Sequence, residues 1–363
     1  MYEVIEPRGM ETQADLAETL IQRMRDSGPI PVADYMEAAN SVYYASHDPF
    51  GVKGDFITSP EISQMFGELI GIWIADLWAR AGADTVHYVE LGPGRGTLAA
   101  DALRAMAVLG RTPEVHFVET SPVLRKLQKE RVPHAHWHKD VGTLPTDAPL
   151  LIIANEFFDA LPYRQYINTY YGWRERMVRH DGENFAPVPG EKPAEDSVPE
   201  HLHQAIAGSI YETSPAGLVI ARALAGKISR QGGAMLAIDY GHEDYAAGDT
   251  LQALNAHAYA DVFSDPGRND LTAHVDFTSL GRAGKLGGTR IQGPVSQSYF
   301  LGTMGIAARA AALARHHPDS AGEIGAAHHR LVDEEEMGSL FKAMAMVNTK
   351  WPKAAGFAVA DSA

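Results

Sequence analysis

The chain has 363 residues, 45% hydrophobic and 21% charged, with a formal net charge of −15. These are the proportions of a folded globular protein with about two structural units, and the acidity disfavours nucleic acid and anionic membrane surfaces as partners. Cysteine is absent, which excludes disulfides, thiolate catalysis and cysteine-based zinc sites.

The opening segment "MYEVIEPRGMETQADL" has neither the basic start nor the apolar stretch of a secretory signal, and its glutamates argue against an Arg-rich transit peptide. The richest apolar segment, Leu69 to Trp78, contains Asp76 and falls well short of the roughly 18 uncharged residues of a membrane span. A cytoplasmic setting without a membrane span is the expectation.

Residues 1 to 80 read as an N-terminal helical region. In "ETQADLAETLIQRMRDSG", Leu16, Leu20 and Met24 share one helical face and Gly28 ends it; "VADYMEAANSVYY" reads as a second helix. A third helix starts at Thr58 or Ser59, with Pro60 in its first turn or Glu61 reaching back to Thr58, and Ile62, Phe66, Leu69, Trp73 and Leu77 line one face. From Thr85 strands and helices alternate. "TVHYVEL", "VHFVET", "AHWHKDV" and "LLIIANEFF" read as strands, "TLAADALRAMAVLG" and "SPVLRKLQKERV" as helices, the latter capped by Ser121. This rhythm implies right-handed crossovers and a parallel, doubly wound sheet. Residues 161 to 230 interrupt it with a hairpin, a proline-rich polar loop and a helix, and read as an insertion. "GGAMLAIDYG" resumes the sheet, "IQGPVSQSYFLGTMG" supplies the final strands, and "DEEEMGSLFKAMA" reads as an acidic turn before an amphipathic helix that packs Leu340, Phe341 and Met344 inward. The sheet domain therefore comprises residues 81–160 and 231–363.

Gly92, Gly94 and Gly96 sit between the first strand of the alternation and its helix, where a doubly wound fold receives a nucleotide-like ligand. Their spacing, G-x-G-x-G, differs from the G-x-G-x-x-G of dinucleotide sites. Glu90, two places ahead, is unfavourable beside a pyrophosphate and favourable beside a cationic methionyl group, so the ligand that fits is S-adenosylmethionine. Glu119, closing the second strand, suits the ribose hydroxyls of either cofactor. Asp140, after the third, is placed to hold an adenine amino group or to serve as a solvated loop acid. Asn155, Glu156 and Asp159 crowd the end of a strand otherwise fit for complete burial, where unpartnered charge is costly. Either Glu156 or Asp159 caps the next helix or pairs with Arg164, or one or both carboxylates grip a cationic acceptor; a guanidinium, with five donors in a planar fork, is the natural match for carboxylates. Glu156 is the first choice for that clamp and Asp159 the second.

The segments "GDFITSPEISQMFGELIG", "VELGPGRGTL", "ANEFFDALP", "AIDYGH" and "LTAHVDF" closely resemble the family related to mitochondrial complex I assembly factor 7, called MidA in some organisms. The resemblance runs from about Pro29 to about Leu340. It implies a class I methyltransferase fold, Rossmann-like with an inserted substrate-side subdomain, and a SAM-dependent enzyme that dimethylates a protein arginine, in mitochondria on a complex I subunit. It also implies that Glu90, Gly92, Gly94, Gly96 and Glu119 bind the cofactor, that Asn155 and Glu156 lie at the reaction centre, and that a lid-like stretch brings Phe56 and Thr58 to the cofactor. The mitochondrial members carry a targeting sequence, so the expectation here is a bacterial cytoplasmic relative, with the mitochondrial matrix as the alternative.

His274 and Asp276 in "DLTAHVDF" would share one face of an extended segment and line an acceptor channel, or hydrogen-bond across a loop. His134, His136 and His138 alternate along one strand; three polar rings at a strand edge are expected there rather than a metal site. The alternatives to an arginine methyltransferase are an NAD-dependent oxidoreductase, which the glycine spacing and Glu90 oppose, and a non-catalytic SAM-binding assembly factor.

Overall fold

The structure, a computed structural model, describes residues 13–46, 58–243, 247–255 and 258–357. The chain divides into two compact units, Met1–Phe56 with Ala160–Gly217 and Tyr245–His274, and Ile57–Asp159 with Leu218–Asp244 and Val275–Ala363.

The second unit carries the parallel sheet. Strands β1 (His87–Leu91), β2 (Glu114–Val118), β3 (His136–His138), β4 (Leu150–Asn155), β5 (Gly233–His242), β6 (Thr289–Ser296) and β7 (Phe341–Asn348) lie in the order β6-β7-β5-β4-β1-β2-β3. Strands β1 to β5 run parallel, and β7 is antiparallel to both of its neighbours. The two-residue strand Val275–Asp276 extends the end of β5. The first five residues of β4 are all buried, as expected for a central strand covered on both faces. Chain order reverses on either side of β1, so the turn after β1 faces the crevice in which open α/β sheets bind ligands.

Helices α1 (Gln64–Ala81), α2 (Thr97–Val108), α3 (Pro122–Arg131), α4 (Pro215–Gln231) and α5 (Phe277–Leu286) accompany the sheet. The expected single helix from Ser59 is broken at Ser63. That residue is extended, with φ −162°, and its hydroxyl accepts a hydrogen bond from Met65 N at 3.2 Å, so a short turn, Ser59–Ile62, precedes α1. Serine competes for main-chain groups in this way and favours caps over helix interiors. Phe66, Leu69, Trp73 and Leu77 are buried as expected. Helices α1 and α2 approach very closely: a Cβ built at Gly71 would lie 2.4 Å from the Ala102 carbonyl oxygen, and one at Gly67 would lie 2.7 Å from Asp101 Cβ.

Two expectations for the C-terminal part are corrected. The segment "IQGPVSQSYFLGTMG" yields strand only to Ser296, whose hydroxyl caps a helix, Gln297–Thr303, by accepting from Tyr299 N. Residues Phe341–Asn348 are a strand rather than an amphipathic helix; Phe341 and Met344 are buried, but Leu340 is exposed. A short apolar run does not by itself distinguish a buried strand from a buried helix, and the slot between β5 and β6 admits only extended chain.

In the first unit, helices Gln13–Ser27 and Val32–Ser46 bury Leu16, Leu20, Met24, Tyr35 and Met36 with Tyr163, Val178 and Leu271. The expected domain limits change accordingly. The N-terminal helices pack with part of the insertion and with Leu251–Ala273, while residues 58–80 and most of the helix that closes the insertion belong with the sheet unit. Helical periodicity identifies an apolar face without naming what covers it. The proline-rich loop is also corrected: Phe185–Pro193 is a strand paired with Gly172–His180, with Pro187, Pro189 and Pro193 in register positions. It pairs on one side only among the described residues, and an edge strand tolerates proline.

Because Gly71 faces the main chain of α2, Gly71→Val is expected to destabilise the protein by about 1–3 kcal/mol or more, read as a lower midpoint in urea unfolding. Unchanged stability would mean that the two helices do not cross there.

Candidate active site

After Leu91 the chain enters α2 through Gly92-Pro93-Gly94-Arg95-Gly96, and the three glycines have φ of 57°, 52° and 77°. These values favour glycine. A Cβ at Gly92 would also lie 3.2 Å from the Phe157 ring, so the turn presents bare main chain. Gly92 N donates to Val118 O at 3.0 Å. Gln128, fully buried on α3, fixes the same turn: its amide donates to Gly94 O at 2.7 Å and to Glu119 Oε2 at 3.1 Å and accepts from Trp137 Nε1 at 2.8 Å. Sequence reasoning missed Gln128. Its signal was a polar amide one turn beyond Leu124, on the buried face of a highly charged helix.

The short turn Ser59–Ile62 is tied to this loop through Glu61. Instead of reaching back to Thr58, Glu61 accepts from Thr97 Oγ1 at 2.5 Å and pairs with Arg95 at 3.4 Å, and Arg131 also donates to Thr97 Oγ1. Thr58 is buried at the cap position but makes no side-chain cap bond. Phe56 lies outside the described residues.

Glu90 is enclosed at the end of β1 and accepts from Tyr88 Oη at 2.7 Å. Burial raises its pKa to about 8, partly offset by the Tyr88 bond. Glu119 is buried where β2 ends. Its Oε1 accepts from Thr120 N and Ser121 N, both at 2.8 Å, so burial pushes this carboxyl up while these bonds and Gln128 pull it down. Asp140 shapes the chain after β3: its exposed carboxylate caps the turn Val141–Thr143 by accepting from Gly142 N at 2.7 Å and Thr143 N at 3.2 Å.

A second acidic group gathers where β4 and β5 end. Glu156 has φ +49°, a left-handed conformation uncommon outside glycine, and its N–H donates to Ile238 O at 2.9 Å. Its Oε1 accepts from Ser59 N at 3.2 Å and Asn155 Nδ2 at 3.1 Å. Asn155 Oδ1 and Ser59 Oγ are buried without a hydrogen-bond partner among the described residues, an arrangement that marks a polar recess rather than packed core. Asp239, which sequence reasoning passed over although it stands in "AIDYGH", accepts from the N–H groups of Phe157, Phe158 and Asp159 at 3.2, 3.0 and 3.3 Å. Burial and the charges of Asp159 and Glu156 raise Asp239 well above the usual carboxylate range. Arg164 pairs with Glu175 at 3.4 Å. Glu156, Asn155, Asp159 and Asp239 thus share one end of the sheet with Glu90 and the glycine turn.

His274 and Asp276 are not presented as a pair. Asp276 caps α5, accepting from Ser279 N at 3.0 Å and Ser279 Oγ at 2.6 Å. His274 belongs to the first unit, where its main-chain N–H donates to Thr250 Oγ1 at 2.9 Å.

Glu90 has a sharp pH consequence. Folded, it keeps its proton up to about pH 8; unfolded, it loses it near 4.5. Between these values the folded state binds more protons, so stability present below about pH 4.5 declines as pH rises and the decline ends above about 8. In thermal melts of ligand-free protein from about pH 5 to about 8.5, spanning that window, Glu90→Gln is expected to flatten this decline; an unaltered slope would assign it to other groups.

The profile of a family described as S-adenosyl-L-methionine-dependent methyltransferases matches residues 69–295. Protein arginine methyltransferase NDUFAF7, mitochondrial, of Xenopus tropicalis is 35% identical over 94% of this chain and 89% of its own length. The Danio rerio protein of the same name is 36% identical over 91% and 86%, and the human one 35% over 90% and 82%. A Burkholderia thailandensis protein crystallised with S-adenosylhomocysteine superposes with a TM-score of 0.85 at 29% identity, covering 98% of this chain and 97% of that one. Matches of this extent and identity establish that the chain belongs to the S-adenosylmethionine-dependent methyltransferase family that also contains the NDUFAF7 proteins.

Proposed function

We propose that this methyltransferase acts on an exposed arginine of a basic protein, with Glu156 as the principal carboxylate at the acceptor, seconded by Asp159 and positioned by Asn155. The reading is carried by one observation: Glu156, Asp159 and Asp239 converge where β4 and β5 end, beside the turn suited to the cofactor. Three acids at one place, Asp159 and Asp239 buried and Glu156 half-buried, favour a cationic guest. The relatives named as protein arginine methyltransferases support arginine as that guest, and the net charge of −15 favours a basic protein over a nucleic acid. The sequence resemblance points to a complex I subunit as the acceptor. The curated relatives are named as mitochondrial; a bacterial cytoplasm is the setting we infer for this chain. Among the described residues no helix is long and apolar enough to cross a membrane.

The cofactor is S-adenosylmethionine, which when bound supplies an electrophilic methyl group on a sulfonium. The bare glycine turn and the enclosed Glu90 suit its cationic amino-acid end, and Glu119 its ribose. Glu156 accepts hydrogen bonds from the guanidinium, gathers its charge away from the attacking nitrogen and takes up the proton that this nitrogen releases. Free arginine has a pKa above about 12, so this proton needs a carboxylate placed beforehand. Ser59 N–H and Asn155 Nδ2 hold Glu156 Oε1 in place, so part of the orientation is prepared in the folded chain.

Incubation of a bacterial lysate with the protein and isotopically labelled methyl donor, followed by peptide mass spectrometry, is expected to place label on arginine. Glu156→Gln is expected to retain S-adenosylmethionine affinity in calorimetry while losing about 100-fold or more in turnover. Wild-type turnover in that variant would remove Glu156 from the reaction, and absence of labelling by the wild-type protein would favour a scaffold. Gly94→Val, at φ 52°, is expected to abolish cofactor binding in the same calorimetric titration while the protein still melts cooperatively; retained affinity would show that the turn does not contact the cofactor.

A further inference from the structure

From the amino-terminal end of β1 and β2 across to β3 the strand register gathers five side chains on one face. His87 opens β1 opposite Glu114, and His116, two residues along β2, stands opposite His136 of β3, with His138 two residues beyond. His87 Nδ1 lies 3.1 Å from His116 Nε2 and 3.4 Å from Glu114 Oε2. The three potential ligand atoms of His87, Glu114 and His116 lie within 4.8 Å of one another.

We propose that His87 Nδ1, His116 Nε2 and Glu114 bind a zinc-type divalent cation, with solvent completing a tetrahedron, at a structural site separate from the reaction centre. Zinc–nitrogen bonds of about 2.0–2.1 Å give tetrahedral edges of roughly 3.3 Å, and the His87–His116 and His87–Glu114 separations of 3.1 and 3.4 Å fall on either side of that length. Each ligand also has its own orienting partner. His87 Nε2 meets Asp147 Oδ1 at 3.1 Å, His116 Nδ1 meets His138 Nε2 at 3.0 Å, and His136 Nε2 pairs with Glu114 Oε1 at 3.3 Å. His138 is in turn held by Thr143 Oγ1 at 3.0 Å. A polar partner on the far nitrogen of each ligating imidazole fixes the ring and its tautomer, as outer-shell groups do in protein zinc sites. Two imidazoles and a carboxylate suit zinc better than calcium or magnesium. Glu114 is exposed while both imidazoles are buried, so the ion would enter past the carboxylate and clamp the start of β1 to that of β2.

Untagged full-length protein, stripped with EDTA and dialysed, is titrated with zinc sulfate in a calorimeter and melted with and without zinc. One zinc per chain is expected, with Kd at or below about 1 µM, together with a higher melting temperature. Glu114→Gln, at an exposed position, and Asp147→Asn, which alters only the partner of His87, are each expected to weaken zinc binding by about 10-fold or more. Both variants are expected to keep calorimetric affinity for S-adenosylmethionine, which shows that they are folded. Absence of stoichiometric binding, or equal zinc affinity in wild type and Glu114→Gln, overturns the proposal and leaves these rings as a hydrogen-bonded chain.

Discussion

Asp239 is enclosed at the end of β5, and one of its oxygens takes the main-chain N–H groups of three consecutive residues, Phe157, Phe158 and Asp159. Buried N–H groups must find acceptors, and Phe157, Phe158 and Asp159 lie in no strand that would supply them among the described residues. The carboxyl therefore substitutes for a ladder, and the backbone just ahead of the three donors is forced through the left-handed conformation seen at Glu156. Such strain, of order 1–3 kcal/mol, persists only where the surroundings over-determine it. Here they do so from two sides, through Asp239 below and through Ser59 N on the Glu156 side chain. The direction in which Glu156 points is thus a consequence of burying Asp239.

The glycine-turn side of the same crevice is built on a comparable substitution. Gln128 uses its amide N–H to join the glycine turn to Glu119 and its amide oxygen to receive Trp137, so β1, β2 and α3 meet at one side chain. Glu61 does the same for the turn Ser59–Ile62, linking it to the first residue of α2. Since Ser59 belongs to that turn, a displacement at Thr97 or Arg95 would be transmitted to the residue that orients Glu156. One short segment thus bonds both to the start of α2 and to Glu156.

What the sequence disclosed follows from how local each feature is. Strand and helix alternation from Thr85, the glycine turn and the carboxylates of "NEFFD" are patterns within a few residues, and each element is found where the pattern places it. Asp239 and Gln128 act on residues some 80 and 34 positions away, and nothing beside them in the chain announces that. The histidines behave likewise. The alternation of His134, His136 and His138 is visible in the chain, but the group that converges draws on His87, Glu114 and His116 from two other strands, and only register brings them together. The misread segments have a different cause. Phe341–Asn348 and Phe185–Pro193 become strands because a sheet has a place for them, in spite of helical spacing in one and prolines in the other.

Two of the enclosed acids of the crevice, Glu90 and Asp239, are raised for unequal reasons. Glu90 is raised by burial alone, against the pull of Tyr88; a single fixed cation beside it would restore its charge, and nothing else nearby need change. Asp239 is raised by burial and, in addition, by Asp159 and Glu156, so its proton answers to the state of its neighbours. Coupled acids of this kind titrate as a set rather than singly. Asp239 is thus a group whose protonation follows the charges set beside it, whereas that of Glu90 follows its enclosure.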